Sequence, residues 1–93
     1  LVSKIISKWG TGHWSDISNP TSQHEAHLLM LDSTKANQHL KWNPIYSIDE
    51  AITETINWYA EYLKHSHNMQ DFTLRQISDY IQKGKQLNLA WTK

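Results

Sequence analysis

The chain contains no cysteine among its 93 residues, which excludes disulfide bonds, a thiolate nucleophile and a cysteine-bound structural zinc. It also lacks any apolar run that approaches the roughly 20 residues needed to cross a bilayer. Nine basic and nine acidic side chains cancel, so neither nucleic acid nor an anionic membrane is expected as a partner. These absences are compatible with a cytoplasmic protein.

Aromatic side chains are well represented: five Trp and four Tyr supply large, rigid contact area. A chain of 93 residues forms at most one small domain, which buries only a modest share of its surface. Residues 1–9 have the spacing of the middle of a helix, and no capping residue precedes Leu1. We therefore expect the chain to be a piece of a longer protein.

The first part of the chain predicts a helix followed by a loop. Apolar residues recur at three- and four-residue steps over residues 1–9, which predicts a helix. Gly10 and Gly12 follow directly and are expected to end it. Residues 13–23 are polar and rich in turn-forming side chains, so they are expected to form a loop.

A short strand and a short helix are predicted next. The compact apolar run 26–31 is bounded by turn and cap residues, which favours a strand. Asp32 or Ser33 can then cap a helix over residues 33–40. The residues of that helix expected to face inward are Ala36 and Leu40.

The clearest helix in the sequence begins at a capping box formed by Ser47 and Glu50. Apolar residues then recur at helical steps from Ile48 to Leu63, with charged side chains on the other face. Residues 65–68 are polar and break this pattern. We expect one long amphipathic helix that ends near the break.

A last helix is predicted before the tail of the chain. Thr73 and Gln76 have the spacing of a second capping box, and Gly84 is well placed to end the helix. The tail carries large apolar residues that are expected to pack against another part of the protein: Leu87, Leu89 and Trp91.

The sequence contains no recognisable cofactor-binding or metal-binding motif. Gly10–Gly12 lacks the third glycine of a dinucleotide-binding loop and lies outside a strand–turn–helix unit. No tyrosine is followed four residues later by lysine, so an acid/base Tyr-x-x-x-Lys pair is absent. The histidine pairs lack the i, i+4 spacing of a helical zinc site: His24 with His27, and His65 with His67.

The segment from His24 to Pro44 carries the most specific pattern. An apolar run ends in Asp-Ser-Thr-Lys-Ala at 32–36, a short helix follows, and Trp-Asn-Pro at 42–44 closes it. This order resembles the C-terminal segment of nucleotide-sugar dehydratases of the extended short-chain dehydrogenase/reductase family. Two flanking segments, Lys4 to Trp14 and Ile48 to Tyr62, are similar to the same family. A third segment, Asn68 to Tyr80, is similar to the tail of its CDP-glucose branch.

The resemblance implies an α/β fragment that is mostly helical, with about four helices and one or two short strands. Residues 1–93 would form the C-terminal, nucleotide-sugar-binding subdomain of an extended Rossmann-fold dehydratase. The NAD-binding Rossmann domain and the catalytic Tyr and Lys would lie upstream of residue 1. The parent enzyme would be a homodimer, and the fragment alone would have no turnover.

The same resemblance implies the chemistry of the parent enzyme. With NAD tightly bound, it would oxidise the sugar of CDP-glucose at C4, eliminate water across C5 and C6, and return the hydride to C6. The product, CDP-4-keto-6-deoxyglucose, would serve the synthesis of deoxysugars of lipopolysaccharide. Neither nucleic acid nor a membrane is implied as a partner.

His24 and Glu25 are the substrate-binding residues that the resemblance implies. Glu25 would accept hydrogen bonds from ribose hydroxyls, and His24 would donate to a phosphate oxygen. Related families often place an arginine shortly before this strand, whereas residues 13–25 contain none. Asp32 and Lys35 also match the family pattern, and we interpret them as a helix cap and a surface residue.

Lys41 departs from the family pattern, which usually has a glycine at this place to end the helix with a positive φ. Either the helix is terminated in another way, or Lys41 is strained by roughly 1 kcal/mol. The neighbouring Trp42 and Pro44 match the family, and both are expected to have packing roles.

An alternative hypothesis is a non-enzymatic, small helical protein-interaction module, which two amphipathic helices alone would permit. Exposed aromatics such as Trp58 and Trp91 would then contact a partner. This hypothesis predicts a self-contained core with one apolar surface patch. The dehydratase hypothesis instead predicts that Trp9, Trp42 and some tail residues stay partly exposed where a missing domain packs.

Overall fold

The computed structural model of the chain describes residues 1–23 and 29–93. Within these ranges the chain is mostly helical, as predicted, with the expected number of about four helices. In chain order they are α1 (Val2–Trp9), α2 (Thr34–Leu40), α3 (Ile48–Lys64) and α4 (Met69–Gln86). Two short 3₁₀ turns lie at Ser66–Asn68 and Ala90–Thr92.

The strand predicted over residues 26–31 falls partly outside the described residues, which exclude 24–28. Leu29, Met30 and Leu31 have no regular secondary structure, and their side chains are 90%, 73% and 98% exposed. A strand requires a neighbour that pairs with its backbone hydrogen-bonding groups. No strand occurs in residues 1–23 or 29–93 to act as that neighbour.

α1 has the bounds that its apolar spacing predicts, to within one residue. Gly10 ends the helix in the left-handed conformation, with φ of 98°, and its N–H donates to the carbonyl of Ile6 at 2.9 Å. Such a conformation at a helix end favours glycine, because it has no Cβ. The loop predicted over 13–23 follows, and Trp14 Nε1 donates back to Ser3 Oγ at 3.1 Å.

α2 is capped as predicted but faces no core. Asp32 accepts a hydrogen bond from the backbone N–H of Thr34 at 2.9 Å, which satisfies one free donor of the first turn. Leu40 was expected to face inward, but it is 76% exposed. The reason is that α2 packs against no other helix in the described part of the chain.

Lys41 ends α2 in the left-handed conformation, with φ of 53° and ψ of 30°. The N–H of the next residue, Trp42, donates to the carbonyl of Ala36 at 3.4 Å, so Lys41 takes the position that glycine has at most such helix ends. The sequence allowed either a different helix end or a strained Lys41, and the structure has the strained Lys41. A Cβ in this conformation costs about 1 kcal/mol.

α3 begins at the predicted capping box. Glu50 N–H donates to Ser47 Oγ at 3.2 Å, and Ser47 N–H donates to the Glu50 carboxylate at 2.7 Å. Two donors of the helix start are thus satisfied by local side chains. The residues of α3 that become buried are Ile52 and Ile56, which lie four positions apart on one face.

α4 begins at Met69, four residues before the predicted capping box, so that part of the prediction is wrong. Thr73 and Gln76 lie inside the helix and bond to α3 instead. Trp58 Nε1 donates to Thr73 Oγ1 at 2.9 Å, and Gln76 Nε2 donates to the carbonyl of Glu54 at 2.9 Å. The Thr-x-x-Gln spacing cannot distinguish a helix start from two polar residues on one helical face.

The prediction that Gly84 ends α4 is wrong, because Gly84 lies within the helix and is buried. A Cβ at this position would lie 2.9 Å from Thr92 Cγ2, 3.0 Å from Ile45 Cδ1 and 3.1 Å from Trp91 Cζ2. Glycine is therefore needed for the close approach of the tail and of Ile45 to the helix. Its role is packing rather than termination.

Asn88 provides the left-handed residue after α4, with φ of 55°. Leu89 N–H donates to the carbonyl of Gly84 at 3.1 Å, and Asn88 N–H donates to that of Lys85 at 2.9 Å. This pair of bonds is the Schellman arrangement, which satisfies free carbonyls at a helix end. The turn directs the tail back across α4 towards Gly84.

The apolar core is small for a chain of this length. Among the described hydrophobic residues, only Ile45, Ile52 and Ile56 are buried. The radius of gyration is 17.5 Å, whereas a compact domain of this length has about 12 Å. α3 packs on α4 and on α1, but large apolar side chains of all three helices remain exposed.

Gly84→Ala is expected to destabilise the chain although alanine favours helix by about 1 kcal/mol. The added methyl group meets three side chains at 3.1 Å or less, and overpacking costs about 1–3 kcal/mol. We expect the thermal midpoint, followed by circular dichroism, to fall. Gln82→Ala, at an exposed position of the same helix, is the control and should leave the midpoint unchanged or higher.

Lys41→Gly is expected to raise the free energy of unfolding by about 0.5–1 kcal/mol, because it removes the cost of a Cβ at positive φ. Lys41→Ala removes the same charge but keeps the Cβ, so it should give no such gain. Urea unfolding of both variants tests this. Equal effects of the two substitutions would show that the charge, and not the backbone conformation, matters.

Candidate functional site

His24 and Glu25, the residues predicted to contact substrate, lie outside the described residues, so their role remains a prediction. The two other residues that match the family pattern are described. Asp32 caps α2, as predicted, and Lys35 is an exposed residue of that helix. Neither lies in a pocket, which agrees with the structural roles expected of them.

A large cavity lies between α1 and α3 and has a volume of about 970 Å³. We call it the apolar groove. It is open to solvent along its length, and no charged side chain lines it. Its lining consists of Leu1, Ile5, Trp9, Ile48, Ala51, Ile52, Thr55, Ile56, Trp58, Tyr59, Tyr62 and Leu63.

Aromatic rings of α3 form one wall of the apolar groove. Trp58 and Tyr62 stack with centroids 5.7 Å apart and planes 4° from parallel, as expected for residues one helical turn apart. The edge of Tyr59 packs on Trp58 at 5.3 Å. These contacts hold the rings in place, yet Tyr59 remains 57% exposed and Leu63 71% exposed.

The sequence indicated the apolar face of α3 but not the groove. Apolar residues of α3 spread over more of its circumference than one packing partner covers: some line the groove, and others face α4. The width of this apolar face is the feature of the sequence that indicates two packing partners for α3. What sequence reasoning missed is that α1 supplies the second wall through Leu1, Ile5 and Trp9.

α1 is held on α3 by contacts that are mostly at the surface. Lys4 pairs with Asp49 at 3.0 Å, and this hydrogen bond lowers the pKa of the Asp49 carboxyl. Both side chains are more than half exposed, so the pair contributes little to stability. No residue of α1 is buried. The wall that α1 provides is therefore weakly anchored in the described structure.

A polar seam joins α3 to α4, and Trp58 belongs both to this seam and to the lining of the apolar groove. It consists of three side-chain contacts: Glu50 with Lys83, Glu54 with Gln76, and Trp58 with Thr73. Gln76 Nε2 donates to the Glu54 carboxylate at 3.0 Å as well as to its carbonyl. These bonds set the register of the two helices, because each joins one residue of α3 to one of α4.

An aromatic cluster continues the seam towards the tail. Lys83 Nζ bonds Glu50 and lies 5.1 Å from the centre of the Tyr46 ring, a cation–π geometry. Tyr46 meets Tyr80 edge to face at 5.0 Å, and Tyr80 stacks on Trp91 at 6.1 Å. Burial raises the pKa of Tyr46 above its ordinary value, so the ring stays neutral in this cluster and serves as a packing residue.

Two shallow pockets flank the polar seam, with volumes of about 320 and 260 Å³. Glu54 and Gln76 line both, and they are hydrogen-bonded to each other. A catalytic acid or base must be within reach of a substrate and have a pKa suited to proton transfer. The Glu54–Gln76 pair is instead engaged between two helices, so we assign it a structural role.

Gly10 and Gly12 do not form a dinucleotide site. A phosphate-binding loop precedes a helix, so that free N–H groups of the first turn point at the phosphates. Here the glycines follow α1, and the N–H of Gly10 is already bonded to Ile6. The Gly10–Gly12 loop therefore does not fit the phosphates of a dinucleotide.

Residues 1–23 and 29–93 contain no group of three or more histidine, cysteine, aspartate or glutamate side chains that could hold a metal ion. None of the described helices has both the length and the apolar character to cross a membrane. The candidate surface that remains is the apolar groove, whose lining packs against apolar groups and carries the hydroxyls of Tyr59 and Tyr62 but no histidine, carboxylate or lysine.

Comparison with known proteins gives one informative match. The chain is similar to CDP-glucose 4,6-dehydratase of Salmonella typhimurium. The two are 31% identical over 81 residues, which is 87% of this chain but 22% of the dehydratase. The chain thus spans about a fifth of the length of this curated relative. No protein-family model and no solved structure matches it.

This similarity supports a family-level link to the dehydratases, in agreement with the resemblance of the segment around Asp32 and Trp42. The matched relative is an enzyme that its name describes as acting on CDP-glucose. The aligned part is 22% of its length, so the similarity does not extend to the whole relative.

The polar seam is expected to weaken in acid. Hydrogen bonds from Lys83 and from the Ser47 N–H hold the pKa of Glu50 below its usual 4.5. A carboxyl with a lowered folded-state pKa stabilises the fold above its unfolded pKa and loses this contribution as pH falls through the folded value. The contribution is therefore present above about pH 5 and lost on further acidification.

Thermal midpoints measured between pH 7 and pH 3 test this expectation. The thermal midpoint of the wild-type chain should decrease once the pH is below 4.5. Glu50→Gln should have a lower midpoint at pH 7, and its midpoint should decrease less on acidification. Glu61→Gln, at a carboxyl of α3 without a described ion pair, is the matched control. An unchanged pH profile in Glu50→Gln would contradict the role of the seam.

Proposed function

We propose that the chain is the nucleotide-sugar-binding subdomain of an NAD-dependent nucleotide-sugar 4,6-dehydratase that converts CDP-glucose to CDP-4-keto-6-deoxyglucose. The observation that carries this proposal is the 31% identity over 81 residues to a CDP-glucose 4,6-dehydratase. The match covers most of this chain, so it includes the segment from His24 to Pro44 or a large part of it.

The exposure of aromatic residues supports the proposal. Trp9 is 42% exposed, Trp42 39% and Trp91 46%, as expected if a further domain packs against them. Large apolar side chains are usually buried, because removing their surface from water is favourable by about 25 cal/mol per Å². Their partial exposure at three separate places is accounted for when this chain is one part of a larger enzyme.

A free-standing interaction module accounts for the structure less well. That alternative requires a self-contained core with one apolar patch, but only three hydrophobic side chains are buried among the described residues. Apolar surface is also exposed in several regions, including the apolar groove, the segment Leu29–Leu31 and the tail residues Leu87 and Trp91.

The proposed division of labour places the redox chemistry outside this chain. NAD, when bound to the parent enzyme, supplies the hydride acceptor and donor. The Gly10–Gly12 loop does not fit the dinucleotide, and the Rossmann domain of a longer polypeptide would bind it. His24 and Glu25 would contribute to holding the nucleotide: His24 at a phosphate oxygen and Glu25 at ribose hydroxyls. The parent would act as a cytoplasmic homodimer.

The test is an assay of the full-length polypeptide for bound NAD and for a 4-keto product from CDP-glucose. Glu25→Ala should raise KM about tenfold, the value of a hydrogen bond to a charged group of about 1.5 kcal/mol, and leave bound NAD unchanged. Lys35→Ala, at an exposed residue of α2, is the control and should behave as wild type.

Either of two results would contradict this account. A folded full-length protein that binds no NAD and forms no 4-keto product would exclude the dehydratase. Turnover with an unchanged KM in Glu25→Ala would retain the dehydratase but remove Glu25 from the substrate site.

A further inference from the structure

The chain exposes more surface than a compact folded monomer of the same mass. Its accessible surface is 8351 Å², whereas a folded monomer of 10.9 kDa exposes roughly 5,600 Å². A standard protein interface buries about 800 Å² on each partner. The excess, to which the exposed loop segments 10–23 and 29–33 contribute, is larger than one standard interface.

The apolar groove forms part of this exposed surface. It follows α3 from Ile48 to Leu63, a length of about 22 Å at 1.5 Å per residue. Side chains exposed along it include Ile48 at 61%, Tyr59 at 57% and Leu63 at 71%. A run of exposed apolar residues of this length is the surface that an amphipathic helix contacts in helix-in-groove recognition.

The lining of the apolar groove indicates a protein segment and not a small ligand. Small-molecule sites fix their ligand with a few converging polar groups. In the groove no lining side chain is charged, the Thr55 hydroxyl is bonded to the carbonyl of Ala51, and the Trp58 indole N–H is bonded to Thr73. The remaining polar groups are the hydroxyls of Tyr59 and Tyr62, whose side chains are about half exposed. The occupant must therefore present an uncharged, aliphatic or aromatic ridge.

A second copy of the chain fits this surface poorly. In a two-fold symmetric dimer the groove of each copy has to receive an apolar surface of the other. The exposed large hydrophobic residues of α4 are Leu74 and Ile77, at 54% and 50%, and they span only about 4.5 Å along the helix. A contact of this length would leave most of the groove of a neighbour unfilled.

We propose that the apolar groove between α1 and α3 holds an amphipathic helix from the remaining part of the same, dehydratase-length polypeptide. This inference rests on the proposed function, because the matched relative has about four-fifths of its length outside the aligned part. The helix contributes aliphatic or aromatic residues at i, i+3, i+4 and i+7, with no charge on that face. It also secures α1, which has no buried residue of its own.

Site-specific cysteine labelling of the full-length protein tests the proposal, since this chain has no cysteine of its own. Tyr59→Cys and Leu63→Cys place a thiol in the groove. Asn57→Cys is the matched control, because it lies on α3 about half a turn away from Tyr59 and is exposed. Labelling by a maleimide is followed by mass spectrometry of the peptide that contains each site, over a range of protein concentrations.

The proposal predicts that the thiols at 59 and 63 react at least tenfold more slowly than the thiol at 57, at every protein concentration. Reaction as fast as the control would show an open groove and overturn it. Protection that disappears on dilution, together with dissociation in sedimentation experiments, would overturn it in favour of a second copy. Labelling is independent of turnover, so failure of the dehydratase assay with a protected groove would reject the proposed function alone.

Discussion

The described fold depends on α3, which pairs with α4 and also packs against α1. Ile45, Ile52 and Ile56 are the buried hydrophobic residues, and the absence of a Cβ at Gly84 allows Ile45 and the tail to reach α4. The polar seam fixes the register of the pair through bonds such as Trp58 to Thr73. α1 depends on this pair, because it packs on α3 and on no other described helix.

This arrangement leaves α3 with two different faces. One face is satisfied by α4, and the other lines the apolar groove and stays open to solvent. A core of three isoleucines is small compared with the conformational entropy lost on ordering the chain, about 1–2 kcal/mol per residue for the backbone alone. The account in which a longer dehydratase polypeptide supplies the missing contacts explains the exposed apolar surface and the partial match together.

Local signals predicted much of the fold. The capping box at Ser47 and Glu50, the end of α1 at Gly10 and the cap at Asp32 each depend on residues within four positions, so the sequence alone identifies them. Thr73 and Gly84 were misread for the opposite reason. Their roles depend on Trp58, Ile45 and Trp91, which lie far away in sequence and are brought close only by the packing of α3 on α4.

Hydrogen exchange of the α1 amides tests most directly whether this chain depends on a larger polypeptide. The account predicts that amides from Ile5 to Trp9 exchange much more slowly in the full-length protein than in the 93-residue chain, while those around Ile52 and Ile56 differ less. Equal protection of α1 in the two proteins would contradict the account, because the chain would then need no further contact to hold its helices in place.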